Sequence, residues 1–144
     1  MDIERQKAIV SAQDGLSKTL GMEFLSTPEP DTVMARMKVS DNNKQPFGFL
    51  SGGASLALAE NLAGVGSMAL CPGHICVGIS VNGHHVKAVA YGGTVTALAR
   101  IQHKGRTLHE WHVDITDDNG DLISTVQVTN YVLTPRTPKE TKQQ

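Results

Sequence analysis

Residues 51–70 read SGGASLALAENLAGVGSMAL, twenty positions with a single charge, Glu60. Small or apolar residues occur all the way round the helical wheel, and a helix of that kind belongs inside a protein. An ionised carboxylate there costs far more than a hydrophobic side chain, so such groups are paired, protonated or functional. At 100° per residue the stripe through Glu60 holds Gly53, Leu56, Ala57, Ala63, Gly64 and Ser67, nearly all small. The space they leave admits another helix or a ligand. Two readings therefore stand: a glutamate bonded to backbone or to a partner chain, or a reactive group.

The start of this helix supplies a second element. Gly52 and Gly53 fall in its first turn, where backbone N–H groups lack helical partners and the dipole favours negative charge. Glycine there lets a ligand carbonyl approach closely. Ser51 stands at the N-cap position, and capping is its ordinary role. Gly53 and Glu60 are seven residues apart, about 10 Å along the axis. A nucleophile and an oxyanion donor acting on one carbonyl need reacting atoms within about 3–3.5 Å of it. If both act together, the spacing favours two copies of the helix and a site between subunits.

Working outward, 144 residues make one domain with one core, long enough to fold without disulfides or metal. Thirteen Lys and Arg against 14 Asp and Glu leave a net charge of −1, which argues against a broadly basic nucleic-acid surface. The opening MDIERQKAIVSAQDGL is charged from its second residue and lacks the apolar core of a signal peptide. The weakly charged stretch 47–83 is broken by glycines, a proline and Glu60, so no membrane span is expected. Cys71 and Cys76 flank Pro72-Gly73, and without an export signal they read as reduced thiols of a cytoplasmic protein.

Ile3, Ala8, Ile9, Ala12, Leu16 and Leu20 predict an amphipathic N-terminal helix within residues 1–20, stopped by Gly21. Strands are expected at 22–26 and 32–39, with PEPD turning between them and a polar loop at 40–46. Four more strands are expected at 75–81, 93–103, 107–116 and 123–133, where Val, Ile and Thr are frequent. Asp117-Asp118-Asn119-Gly120 is the strongest hairpin signal among them. One buried helix followed by long antiparallel strands gives an α+β architecture, a sheet wrapped around a helix. The domain spans 1–134, and 135–144, PRTPKETKQQ, reads as a loose polar tail.

Glu110, His112 and Asp114 alternate on one strand face, as a solvated sheet face does, and no H-E-x-x-H or paired C-x-x-C spacing occurs, so no metal is expected. His109 and Trp111 belong on the opposite face, packed on the core.

The segment from Gln45 to Glu60, QPFGFLSGGASLALAE, resembles the signature of hotdog-fold acyl-CoA thioesterases. It is most similar to the 1,4-dihydroxy-2-naphthoyl-CoA and 4-hydroxybenzoyl-CoA thioesterase branch, with its QPFG-x-x-HGG-A-S pattern ending in Ala-Glu. The likeness extends to about residue 134 and takes in Asn82-Gly83-His84-His85-Val86-Lys87 and His103-Lys104-Gly105-Arg106. The resemblance implies a long helix wrapped by an antiparallel sheet, homodimers or homotetramers, and active sites at the dimer interface. It implies an acyl-CoA substrate and no cofactor beyond the coenzyme A of that substrate. Glu60 would attack the thioester or activate water, the Gly53 N–H would polarise the carbonyl, and Gln45 would bond the thioester or orient the attacking group. Ser51 and Gly52 would meet the substrate beside it. His85, Lys87, His103, Lys104 and Arg106 would meet coenzyme A phosphates, although charged residues at strand ends are also what an ordinary solvated rim contains.

Two positions depart from the pattern. The histidine before Gly-Gly is Ser51, and the Ser or Thr one turn after the glutamate is Gly64. The leading expectation is hydrolysis of an aromatic acyl-CoA such as 1,4-dihydroxy-2-naphthoyl-CoA, in quinone (menaquinone) biosynthesis. A non-catalytic acyl-CoA-binding protein and an acyl-thioester hydratase or dehydratase are the alternatives. The loss of the histidine counts against the latter.

Overall fold

The computed structural model describes residues 1–134, so the expected polar tail lies outside the described residues. Six strands form one antiparallel sheet in the order β1-β2-β4-β5-β6-β3. They are β1 (Met22–Leu25), β2 (Thr32–Lys38), β3 (Ile75–His85), β4 (Thr94–Lys104), β5 (Leu108–Thr116) and β6 (Leu122–Leu133). The long helix α3 (Gly52–Leu70) packs against β2 through β6. Alternate residues of the strands face it: Val33, Ala35 and Met37 of β2, Val95, Ala97 and Ala99 of β4, and Trp111, Val113 and Ile115 of β5 are buried. Leu58, Leu62 and Ala63 close the core from the helix side. Among the described residues no helix is long and apolar enough to cross a membrane.

Three features depart from the sequence expectations. The N-terminal helix is two helices, α1 (Glu4–Ser11) and α2 (Leu16–Leu20), because Gly15 is fully extended at φ 165° and cannot continue a helix. Ile9 and Leu16 are each 55% exposed, so the apolar residues of 2–20 do not form one buried stripe. β3 runs on to His85 because polar residues from Asn82 to His85 pair with Gln127, Val126, Thr125 and Ser124 of β6, and ladder bonding outweighs their weak strand preference. Finally, α3 is not enclosed on every side. Leu56, Ala57, Glu60, Asn61, Gly64 and Met68 are only half-buried, and Gly53 is exposed. Of the stripe through Glu60, Gly53, Leu56, Ala57 and Gly64 are left partly uncovered by this single chain, whereas Ala63 and Ser67 are fully buried.

Beyond the apolar core lies a buried polar network. Ser67 Oγ accepts hydrogen bonds from Trp111 Nε1–H at 2.9 Å and from Asn130 Nδ2–H at 3.0 Å. Both lone pairs of the hydroxyl are then engaged, so its own proton goes to His109 Nδ1 at 2.8 Å. His109 is thereby fixed as the neutral Nε2–H tautomer, with Nε2 facing Cys71 Sγ at 3.7 Å. Burial holds the imidazole below its ordinary pKa of 6.5, and the charges of Lys104 and His103 push the same way. A proton on Nδ1 would put a third donor against Ser67. The native state therefore binds this proton less readily than the unfolded chain does. Stability is unaffected by His109 above about pH 6.5 and falls as the pH drops from there towards the lowered native value. Substitution His109→Asn keeps an acceptor for Ser67 and removes the titration. Urea unfolding from pH 7.5 to 4.5 should show a shallower acid decline in that variant, at a cost of about 1–3 kcal/mol at neutral pH. An unchanged slope would assign the decline to other groups.

Candidate active site

The loop between β2 and α3 is set by one buried residue that the sequence reading missed. Asn43, 3% exposed, accepts from the Ser40 N–H through Oδ1 at 2.9 Å and donates through Nδ2 to the carbonyls of Lys38 at 2.8 Å and Leu20 at 3.0 Å. Its own carbonyl accepts from the Ser51 N–H at 2.9 Å. The ends of α2 and β2 and the start of α3 are tied together there. In sequence Asn43 sits in a polar loop, DNNK, and only its three-way bonding distinguishes it.

Gln45 follows on this anchored loop. Its Oε1 accepts the Phe47 N–H, which orients the amide and leaves Nε2 as its donor end. Ser51 has the extended backbone of an N-cap, but its side chain makes no capping bond; its backbone alone is engaged, the N–H with Asn43 and the carbonyl with the Ala54 and Ser55 N–H groups. Gln45, Gly52, Ser55, His85 and Ser124 line a cavity of about 370 Å³ beside the helix start. The His85 ring lies so close to Gly52 that a Cβ there would stand 2.7 Å from Nε2, while Nδ1 bonds Ser124 Oγ at 2.8 Å. Ser55, 2% exposed, also reaches this cavity. A wheel drawn through Glu60 does not select it. Gly53 and Ser51 face a separate surface recess with Lys44 and Ala57, so Gly52 is the helix-start glycine of the His85 cavity.

Glu60 occupies a second cavity of about 350 Å³, lined by Val10, Phe24, Gly64, Met68, Cys76 and Gly78 among others. Its carboxylate has no hydrogen-bond or ion-pair partner among the described residues, and it rests against Gly78 of β3, where any side chain would collide with it. Cys76 in the same cavity is a free thiol. Burial, and then the neighbouring Cys71, push its pKa up to about 11, so it stays protonated at neutral pH. Glu60 is the one carboxylate among the described residues that line this cavity.

Within one chain these two cavities are apart. Gly52 and Glu60 are eight residues distant on α3, about 12 Å along the axis. Gly78 and His85 are seven residues distant on β3, about 23 Å. The basic residues are divided as well. Lys87 Nζ is clamped by Asp117 at 2.9 Å and Asp121 at 2.6 Å, and these hydrogen bonds raise its pKa to about 12. His103, Lys104 and Arg106 lie at the β4–β5 turn. Register places Lys104 on the row of Asn130 and His85 on the row of Ser124, six residues and about 20 Å along β6. Glu110 bonds Thr129 Oγ1 and His112 bonds Asp114, so the polar residues of the outer β5 face are engaged with one another and with β6.

The comparisons with known proteins agree with this geometry. Residues 47–124 match the Thioesterase superfamily model. A 1,4-dihydroxy-2-naphthoyl-CoA hydrolase of Listeria monocytogenes is 36% identical over 110 residues, covering 76% of this chain and 88% of that protein. A proofreading thioesterase of Cronobacter turicensis is 34% identical over 119 residues, covering 82% and 85%. The crystal structure of a thioesterase from Haemophilus influenzae superposes with a TM-score of 0.83 at 32% identity, covering 93% of this chain and 92% of that one. The chain belongs to the thioesterase superfamily: it is a thioester hydrolase with the hotdog fold of that family.

Proposed function

We propose that this protein hydrolyses an aromatic acyl-CoA, with 1,4-dihydroxy-2-naphthoyl-CoA as the first candidate, at a site shared by two copies of the chain. The observation that carries the reading is Glu60, a half-buried carboxylate without a partner among the described residues, at the mouth of a largely apolar cavity. An unpaired carboxylate held against a thioester is placed to act as base or nucleophile. Glu60 either adds to the thioester carbon or takes a proton from the water that does. The carbonyl oxygen gains negative charge and is stabilised by N–H groups at the start of α3, Gly52 or Gly53. Gln45 Nε2 bonds the substrate beside them. When Glu60 acts as base, the carbon–sulfur bond breaks, coenzyme A leaves as its thiol with the proton that Glu60 took from water, and the acyl group leaves as the acid. When Glu60 adds directly, the same cleavage leaves an acyl–Glu60 anhydride, which water hydrolyses to the acid and the free carboxylate. The aromatic preference rests on the similarity to the Listeria hydrolase and on the small residues around Glu60. With that substrate the reaction would be a step of quinone biosynthesis.

A homodimer supplies the missing juxtaposition. β3 is an edge strand with Ile75, Val77 and Ile79 exposed, an apolar edge that a soluble chain ordinarily pairs or covers. Two such strands pairing antiparallel about a point between Val81 and Asn82 set the Gly78 row of one copy against the His85 row of the other. Glu60 of one copy then approaches Gly52 and Gln45 of the other. The same two-fold operation carries the 103–106 turn of one copy to the His85 end of its partner, where it reaches the phosphates of coenzyme A. A tetramer would be two of these dimers.

Release of free coenzyme A, followed with a thiol reagent over a panel of aryl- and alkyl-CoAs, tests the chemistry. Glu60→Gln should lower kcat at least a hundredfold with folding unchanged. Retention of activity in that variant would remove Glu60 from the mechanism. Gly52→Ala forces His85 aside and should lower turnover at least tenfold. Mixing the two inactive variants tests the shared site. Random exchange of subunits makes half the dimers hybrid, each with one intact site, so about a quarter of wild-type activity should return. No recovery, or a species sedimenting at the 15.4 kDa of one chain, would sink the two-subunit site.

A further inference from the structure

We infer that Val10 of α1, with Phe24 of β1, is the end wall of the acyl cavity and sets the length of acyl group that the enzyme accepts. The inference rests on the reading of the Glu60 cavity as the acyl site. Both side chains line that cavity, and both also line a second cavity of about 260 Å³ on the other side, between α1, α2 and β1. Among the described residues they are the only two that the cavities share, so they form the partition between them. The near side of the partition is apolar, with Val65, Met68 and Cys76 around it. The far side is lined by Lys7, Ser11, Ser17, Lys18, Met22 and Glu23. An acyl chain that reached the wall would stop there, and one that passed it would enter the second cavity beside Met22.

The two halves of the wall differ in how firmly they are held. Phe24 is 4% exposed and belongs to the core. Val10 is half-buried on a helix that has no buried residue at all, and it packs on the core only from outside. Val10 is consequently the position where the wall moves without loss of the fold.

The test is the ratio of kcat/KM for dodecanoyl-CoA to that for hexanoyl-CoA. Val10→Ala opens the partition and lets about two further methylenes be buried, which should raise the ratio about tenfold. Val10→Phe extends the wall inward and should lower it by a similar factor. Equal scaling of both substrates in both variants, or no change in either ratio, would overturn the assignment. The same ratio is read without turnover by calorimetric binding of the two thioesters to chains that also carry Glu60→Gln. A binding ratio that moves while the wild-type chain releases no coenzyme A would keep the wall and overturn the hydrolytic site. Hydrolysis that depends on Glu60 with both ratios unmoved would do the reverse.

Discussion

The length of α3 between its first turn and Glu60 is the constraint on which the proposed site depends. On the proposed reading, a single helix carries both the N–H groups that would polarise a carbonyl and the carboxylate that would act on it, and its rise fixes their separation at several times the reach of a reacting pair. No loop motion within one chain removes that distance, because both ends of the helix are seated on the same sheet. β3 repeats the spacing alongside, with Gly78 accommodating Glu60 and His85 lying on Gly52. Helix and strand thus carry matched halves of a site in the same order. A two-fold axis is the simplest operation that brings unlike halves together.

Packing explains why the halves are held so firmly. The loop that leads into α3 is not free, since Asn43 bonds it to two other elements. At the far end, Ser67 ties the last turns of the helix to β5 and β6 through Trp111, His109 and Asn130. Between these polar anchors the helix lies on alanine and valine of β2 and β4. Small residues on the sheet let the helix axis approach closely, and branched ones fill the gaps between.

Much of this was legible in the residues themselves. The twenty-residue run with one charge marked the helix, runs rich in Val, Ile and Thr marked the long strands, and Asp-Asp-Asn-Gly marked the last hairpin, because these signals depend on local geometry. Glu60 stood out for the same reason, as a charge where burial was expected. Most of what composition did not reveal depended on long-range contacts. The extension of β3 through Asn82 to His85 and the engagement of Lys87 by Asp117 and Asp121 are each decided by residues distant in sequence, whereas the break at Gly15 is a local backbone choice that apolar spacing does not reveal. Ser55 and Asn43 were overlooked because a serine in a helix and an asparagine in a loop are ordinary until their surroundings are known.

The weak seating of α1 has a consequence for how such an enzyme changes over generations. Substitutions in a segment that contributes no buried side chain have little effect on stability. A lineage can therefore vary that segment freely while the helix, the sheet and the carboxylate stay constant. One hydrolytic centre can in this way serve chains adapted to different acids, with selection acting on a peripheral helix and leaving the core untouched.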